Sequence, residues 1–457
     1  MGVIGSHRSW TWAGVLGCAL AAGMTAFTPV ASADVGAPSA VASAGTGHVS
    51  ATPARGTPQL APSGGTEQVR QIVQCGGTMY AVGRFSAIEW GGKTYTRHNI
   101  FSFSAKAPFK ITGWNPNVNG EVSSIALTSN CGNAYIGGSF SQAAGVAASN
   151  IGYLRTNSNF LVKDWAHSAN KRVDTVLYTH GHVLVGGHFT SINGSSRTAY
   201  ASLSPSTGRD DGYLNLHVSG HYVYPGVGFN TTQVYNQQLS PDGSRVLVEG
   251  VFTKVGGKSR QQIFMLNVGA SASVAAWNSS EFNQHCSHGH PFYIKAAAWS
   301  PDQNTVYIAT TGSRLSGTSG FPLTGLCDAV AAFPGKRDPG LTHNWVNYTG
   351  CDSLFSAAAD ASTVYVGGHE RWANNSRACN KAGPGSKPAP GMGGFTTGGK
   401  LLTNSSGTKG RYSRARGLGA DDMLRTSAGL WIASDNFMGS TTCGGVGGHA
   451  GICFLPN

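Results

Sequence analysis

Of the 457 residues, 65 are glycine, 40% are hydrophobic and only 11% are charged, less than half the usual ~25% charged fraction. That apolar content suffices for a core, so the sparse charge does not signal disorder. Only six of the 20 acidic residues are glutamate, which excludes long surface helices laced with Glu–Lys pairs and leaves an all-β chain of many short strands and turns.

Residues 1–33 read as an export signal: Arg8 supplies a basic start, Trp10 to Phe27 an apolar stretch, and Ala31-Ser32-Ala33 a cleavage site before Asp34. A lipidation site at Val15-Leu16-Gly17-Cys18 fits less well, because the apolar run continues past Cys18. No second apolar run of ~20 residues follows, so no membrane span is expected once the signal is removed. The chain is expected to be secreted and extracellular. Removal of Cys18 leaves eight of the nine cysteines, and four disulfides are expected in an oxidising compartment. Residues 34–66, rich in Ala, Gly, Ser, Thr and Pro, read as a linker or extended arm.

From residue 67 to residue 457 one unit recurs. Tyr80-Ala81-Val82-Gly83-Arg84-Phe85, Tyr135-Ile136-Gly137-Gly138-Ser139-Phe140, Leu184-Val185-Gly186-Gly187-His188-Phe189 and Leu247-Val248-Glu249-Gly250-Val251-Phe252 are copies of one hexapeptide. Weaker copies stand at Tyr307-Ile308-Ala309-Thr310, Tyr365-Val366-Gly367-Gly368 and Trp431-Ile432-Ala433-Ser434, with spacings of 55, 49, 63, 60, 58 and 66 residues. Each unit supplies a first apolar strand, a turn such as Ser240-Pro241-Asp242-Gly243, the hexapeptide, an alternating third strand, and a fourth that ends on Trp114, Trp165, Trp277 or Trp345. Seven units of about four strands predict a seven-bladed β-propeller of four-stranded blades. The glycines read as places where backbones approach closely or bulge, and the tryptophans as packing residues. The seventh unit runs out of chain after Ile452 to Leu455, so Gly47 to Ala51 of the arm is expected to close the last blade.

Phe189-Thr190-Ser191-Ile192-Asn193-Gly194 and Phe252-Thr253-Lys254-Val255-Gly256-Gly257 continue the motif into a loop ending in Asn-Gly or Gly. In this the chain resembles the delta-60-type propeller repeats of secreted bacterial proteins, whose units carry a Y-V-G-G-x-F strand. The resemblance is specific in units one to four and fades in five to seven. It implies a propeller and an extracellular setting, and no particular activity.

Repeat symmetry sorts the cysteines. Cys286 precedes the first strand of unit five and Cys327 follows its second, and Cys351 and Cys379 hold the same places in unit six. Cys75 and Cys131 lie in equivalent turns of adjacent units, and Cys443 and Cys453 enclose a short loop. The expected bridges are therefore 75–131, 286–327, 351–379 and 443–453. With Cys286 oxidised, His285-Cys286-Ser287-His288-Gly289-His290 has no distant half-site for a metal and reads as a tethered polar loop.

The second strands end on one loop-rich face, where loops of all units converge on the channel opening. Candidate ligand-binding residues there are Arg84, His188, Lys295, His369, Glu370, Arg371, Trp372 and Asp435. The foremost functional expectation is a secreted binding or interaction protein that presents this face to an extracellular polymer or protein. The runner-up is a carbohydrate-active enzyme, either a glycoside hydrolase with paired carboxylates or a lyase. Glu370, His369, Asp435 and His188 are its candidate catalytic residues, with Asp174 and Glu249 as further carboxylates. Glu249 also reads as a structural carboxylate. After signal removal 31 basic residues face 20 acidic ones, which favours an anionic partner. The basic residues are scattered rather than clustered, so nucleic acid is not expected. No haem-attachment or dinucleotide-binding motif is found, so no cofactor is expected.

Overall fold

The computed structural model describes residues 47–221, 231–283, 286, 291–313, 325–336, 339–414, 419–436 and 449–457. The expected export signal, Cys443 and all of the histidine-rich segment except Cys286 lie outside them. The chain is all-β as expected: among the described residues the one helix is a short 3-10 turn at Ser280–Phe282, and no helix is long and apolar enough to cross a membrane.

Each hexapeptide is the second strand of an antiparallel sheet. Sheet one is built from Gln68–Cys75, Thr78–Arg84 and Ile100–Ser104, and sheet two from Glu121–Leu127, Asn133–Ser139 and Ile151–Arg155. Sheet three comprises Val173–Thr179, His182–Gly187 and Tyr200–Leu203, and sheet four Gln233–Leu239, Arg245–Val251, Ile263–Asn267 and Ser273–Val274. Sheet five holds Tyr293–Trp299, Thr305–Thr311, Ala329–Pro334 and Trp345–Tyr348, sheet six Leu354–Ala359, Thr363–Gly368 and Met392–Thr396, and sheet seven Ala420–Thr426, Gly429–Ser434 and Ile452–Pro456. A full fourth strand thus forms in sheets four and five. In sheets one, two, three and six a single backbone bridge, such as Phe103 to Ile111, marks its place. Trp345 opens its strand instead of ending it.

In sheets four and five the turns joining first to second strands follow from Pro-Asp chemistry. In Ser240 to Gly243 the glycine N–H donates to the Ser240 carbonyl at 2.9 Å, and the Ser240 hydroxyl donates to Asp242 Oδ1 at 2.7 Å. Ser300 and Asp302 repeat the second bond at 2.6 Å.

Alternation along each strand puts apolar side chains on both faces, so that the core is divided into layers between neighbouring sheets. In sheet four, Val246 and Val248 pack toward sheet three, while Leu247 packs toward sheet five. The series closes on itself, because Trp431, Ala433 and Ile452 of sheet seven share a core with Val69, Ile72 and Phe101 of sheet one. The first strands pack in the same cyclic order, with Ala420–Thr426 returning against Gln68–Cys75.

Four tryptophans each tie a sheet to the next. Trp114 Nε1 donates to the Arg155 carbonyl at 2.9 Å, Trp165 to Ser204 at 3.3 Å, Trp277 to Pro334 at 2.9 Å and Trp345 to Thr397 at 2.8 Å. The Tyr213 hydroxyl plays this part between sheets three and four, donating to the Gly269 carbonyl at 3.1 Å. An indole buried on one side with its N–H bonded satisfies both halves of its chemistry.

The arm lies along the edge of sheet seven. Ser50 N–H donates to the Pro456 carbonyl at 2.6 Å and Ala54 N–H to the Phe454 carbonyl at 2.8 Å. Val49 is fully buried, and its carbonyl accepts from the Tyr412 hydroxyl at 3.0 Å. Gln59–Leu60 then pairs with Ala87–Trp90, a strand of the hairpin on sheet one.

Cys75–Cys131, Cys286–Cys327 and Cys351–Cys379 are bonded, with Cα separations of 5.8, 6.0 and 5.1 Å. Cys453 is also oxidised.

Candidate functional site

One irregularity recurs at the start of every first strand. Pairing with the second strand skips a residue between Val69 and Gln71, Val122 and Ser124, Val173 and Thr175, Val234 and Asn236, Ile294 and Ala296, Leu354 and Ser356, and Ala420 and Asp422. Each is a β-bulge, in which one extra residue is left out of the ladder and re-aimed. The cause is visible in the sequence. Val69 and Ile72, Val122 and Ile125, Val173 and Val176 are apolar pairs three residues apart, one more than an alternating strand can place on one side.

The bulge explains the hexapeptide glycines. Opposite it stand Gly83, Gly138, Gly187, Gly250 and Gly368, and a Cβ at Gly138 would lie 2.1 Å from the Glu121 carbonyl oxygen. The preceding glycine meets the neighbouring sheet: a Cβ at Gly137 would lie 2.4 Å from Val173 Cγ1, and one at Gly186 2.5 Å from Val234 Cγ1. Backbone donors next to the bulges are satisfied across the sheets. Gln71 Oε1 accepts from Ile125 N–H at 2.7 Å, Ser124 Oγ from Val176 N–H at 3.1 Å, and Asp422 Oδ2 from Ile72 N–H at 2.9 Å. The last of these bonds sheet seven to sheet one.

The seven bulged residues, Arg70, Ser123, Asp174, Tyr235, Lys295, Phe355 and Asp421, converge on a channel of ≈ 440 Å³, joined by Arg172, His369 and Asp435. One side of the wall is a chain of ion pairs. Arg70 contacts Asp421 and Glu121, both at 3.1 Å, and Arg172 contacts Glu121 at 3.0 Å and Asp174 at 2.6 Å. His188 Nε2 lies 3.1 Å from the second oxygen of Asp174. The other side, from sheets four to six, is different: the Lys295 ammonium sits over the Tyr235 ring, 5.0 Å from its centroid, and Phe355 meets His369 edge-on at 4.7 Å. The Tyr235 hydroxyl is engaged by donation to the Ile294 carbonyl.

Burial dominates the electrostatics. It raises the Asp421 carboxyl to about 7 against the opposing pull of Arg70, and it pushes the Lys295 ammonium below its usual range against the pull of Asp421.

The expected site residues divide into two groups. Lys295, His369 and Asp435 line the channel, and His188 borders it through Asp174. Arg84 is exposed and donates to the Thr66 carbonyl at 2.9 Å, outside that lining. Arg371 is held by Asp352 through Nε at 2.8 Å and Nη2 at 2.6 Å, with its guanidinium 4.3 Å from the Trp372 ring centroid. Glu370 corrects the expectation of a loop-face acid. Its side chain turns inward, only 1% exposed, neither oxygen finds a partner, and burial drives its pKa far up. Glu249 is likewise buried between sheets, raised to about 8 by burial against a smaller opposing pull from Asn236. Arg70, Arg172, Glu121, Tyr235, Phe355 and Asp421 were not singled out from sequence. The three-residue spacing of apolar positions marks bulges and could have found three of them, Arg70, Phe355 and Asp421.

No family model matches the chain, and no curated protein matches it. Among solved structures, the chain is similar to that of U3-55K, at 9% identity over 89% of this chain and 100% of that one, with a TM-score of 0.49. It is also similar to the RRP9 WD40 repeats, at 9% identity over 89% of this chain and 98% of that one, with a TM-score of 0.48.

Proposed function

We propose that this chain is a secreted binding protein, a seven-bladed β-propeller of the delta-60-type repeat class that engages an extracellular partner at the mouth of its central channel. The seven sheets are its blades, and the arm around Val49 to Ala54 completes the last one. The cyclic order of the intersheet cores supports the ring, and the disulfides fit an oxidising compartment.

One observation carries the functional reading: every sheet contributes a single bulged side chain to one channel, mixing acids, bases and aromatic rings on rigid strands. Such a wall suits recognition. A hydrolase needs an acid and a base free to exchange protons with the substrate. Here Asp174 is held by Arg172 and His188, and Asp421 by Arg70, while Glu370 is buried outside the channel lining. These contacts favour binding over catalysis.

The test fills the channel at its smallest ring position. Immobilised mature protein and a Ser123→Trp variant are incubated with extracellular proteins and wall polysaccharides. Retention should fall at least about tenfold in the variant, with no oligosaccharides released. Equal retention, or product release by the native protein, refutes the proposal.

A further inference from the structure

The two sides of the channel differ in how their charges are balanced. Every arginine on the ion-pair side faces carboxylates at 2.6 to 3.1 Å. Lys295 has no carboxylate within 4.0 Å among the described residues: Asp421 and Asp174 act on it only from longer range, and the Tyr235 ring lies 5.0 Å from its ammonium. A desolvated ammonium without a counter-ion is costly, and this one stands in a ring position that serine or phenylalanine fills elsewhere.

We infer that Lys295 is the counter-ion for a single carboxylate brought into the channel by an aspartate or glutamate side chain of a protein partner. The inference rests on the binding reading above and names the chemistry of its ligand. Charge selects one acidic group over a polyanion, because Arg70 and Arg172 of the same lining are already held by carboxylates and Lys295 is its one lysine or arginine outside that chain of ion pairs. Geometry disfavours recognition by sugar stacking: one face of Tyr235 is taken by the ammonium, and Phe355 is engaged by His369. A channel of ≈ 440 Å³ has room for one side chain and its flanking backbone. The acids opposite can accept from the backbone N–H groups that accompany a peptide and that a carboxylated sugar lacks.

The probe is the capped peptide Gly-Gly-Glu-Gly-Gly, with its Gln counterpart and trigalacturonate as comparisons, titrated by saturation-transfer NMR. The Glu peptide should bind the native protein at least about tenfold more tightly than the Gln peptide or the sugar acid. Lys295→Met should remove that preference, and Lys295→Arg should keep it within about threefold. Since Lys295→Met discards a buried charge, its melting temperature should not fall, which separates lost binding from lost folding.

Equal binding by Lys295→Met, no preference for Glu over Gln, or tighter binding of trigalacturonate each overturns the inference. If Ser123→Trp abolishes retention of the natural partner while Lys295→Met leaves it intact, the channel remains the binding site and the carboxylate assignment alone fails.

Discussion

Glu249 stands where Gly137, Gly186 and Gly367 stand in other sheets, and it places a fully buried carboxyl between sheets four and five. Neither oxygen finds a partner of hydrogen-bonding geometry, and burial raises its pKa from 4.5 to about 8. The folded value lies above the unfolded one, so the fold prefers the protonated acid. Below pH 4.5 the group is neutral in both states and has no effect on stability. Between pH 4.5 and 8 the unfolded chain ionises first, and stability falls by ~1.36 kcal/mol for each pH unit. The loss is about 3 kcal/mol at pH 7 and levels off near ~5 kcal/mol above pH 8. Glu249→Gln keeps the shape and cannot ionise. The difference in unfolding free energy between variant and native protein should therefore grow in the variant's favour by about 3 kcal/mol from pH 4.5 to 7. Urea unfolding at pH 4.5, 6, 7 and 8 measures it. Asp328, Asp421 and Asp422, raised to about 8, 7 and 6, act in both proteins and cancel in the difference. A difference that stays flat across this range would refute the reasoning.

Two further perturbations address the frame. Gly138→Ala forces a Cβ to within 2.1 Å of the Glu121 carbonyl oxygen and 2.9 Å of Val122 Cα, both backbone atoms that cannot yield cheaply. It should cost at least ~2 kcal/mol in equilibrium unfolding, whereas Gly77→Ala, with nothing within 4 Å, should stay within ~0.5 kcal/mol; similar values for the two would remove the bulge as the reason for the glycine. Deleting residues 34–56 strips the buried Val49 and the backbone bonds of Ser50 and Ala54 from sheet seven. Calorimetry should record a melting temperature lower by several degrees, and an unchanged one would show that the arm does not hold the last sheet.

Local chemistry made much of the frame legible. Alternating apolar runs announced the strands, Ser-Pro-Asp turns separated first from second, and the repeat placed the cysteines so that three bonded pairs could be chosen. The glycine count with which the composition begins has a specific cause, since two hexapeptide positions cannot carry a side chain: one opposes a bulge, the other meets the next sheet. These are short-range constraints, and the chain states them by residue type and spacing.

The site obeys another rule. Arg70 finds Asp421 across 351 residues of sequence, and only the meeting of sheets seven and one makes them neighbours. Arg70 and Lys295 look alike as isolated basic residues, yet the packing of neighbouring sheets gives the first two carboxylates and sets the second over an aromatic face. Glu370 and Asp435 both follow a second strand, yet one turns into the protein and the other toward the channel. Sequence by itself determined strands, turns, close approaches and cysteine pairs, because each depends on residues near in the chain or on repeat symmetry. Which charges are paired and which are buried was decided by the tertiary structure, because desolvation and Coulomb energies depend on distances that only the packed sheets create.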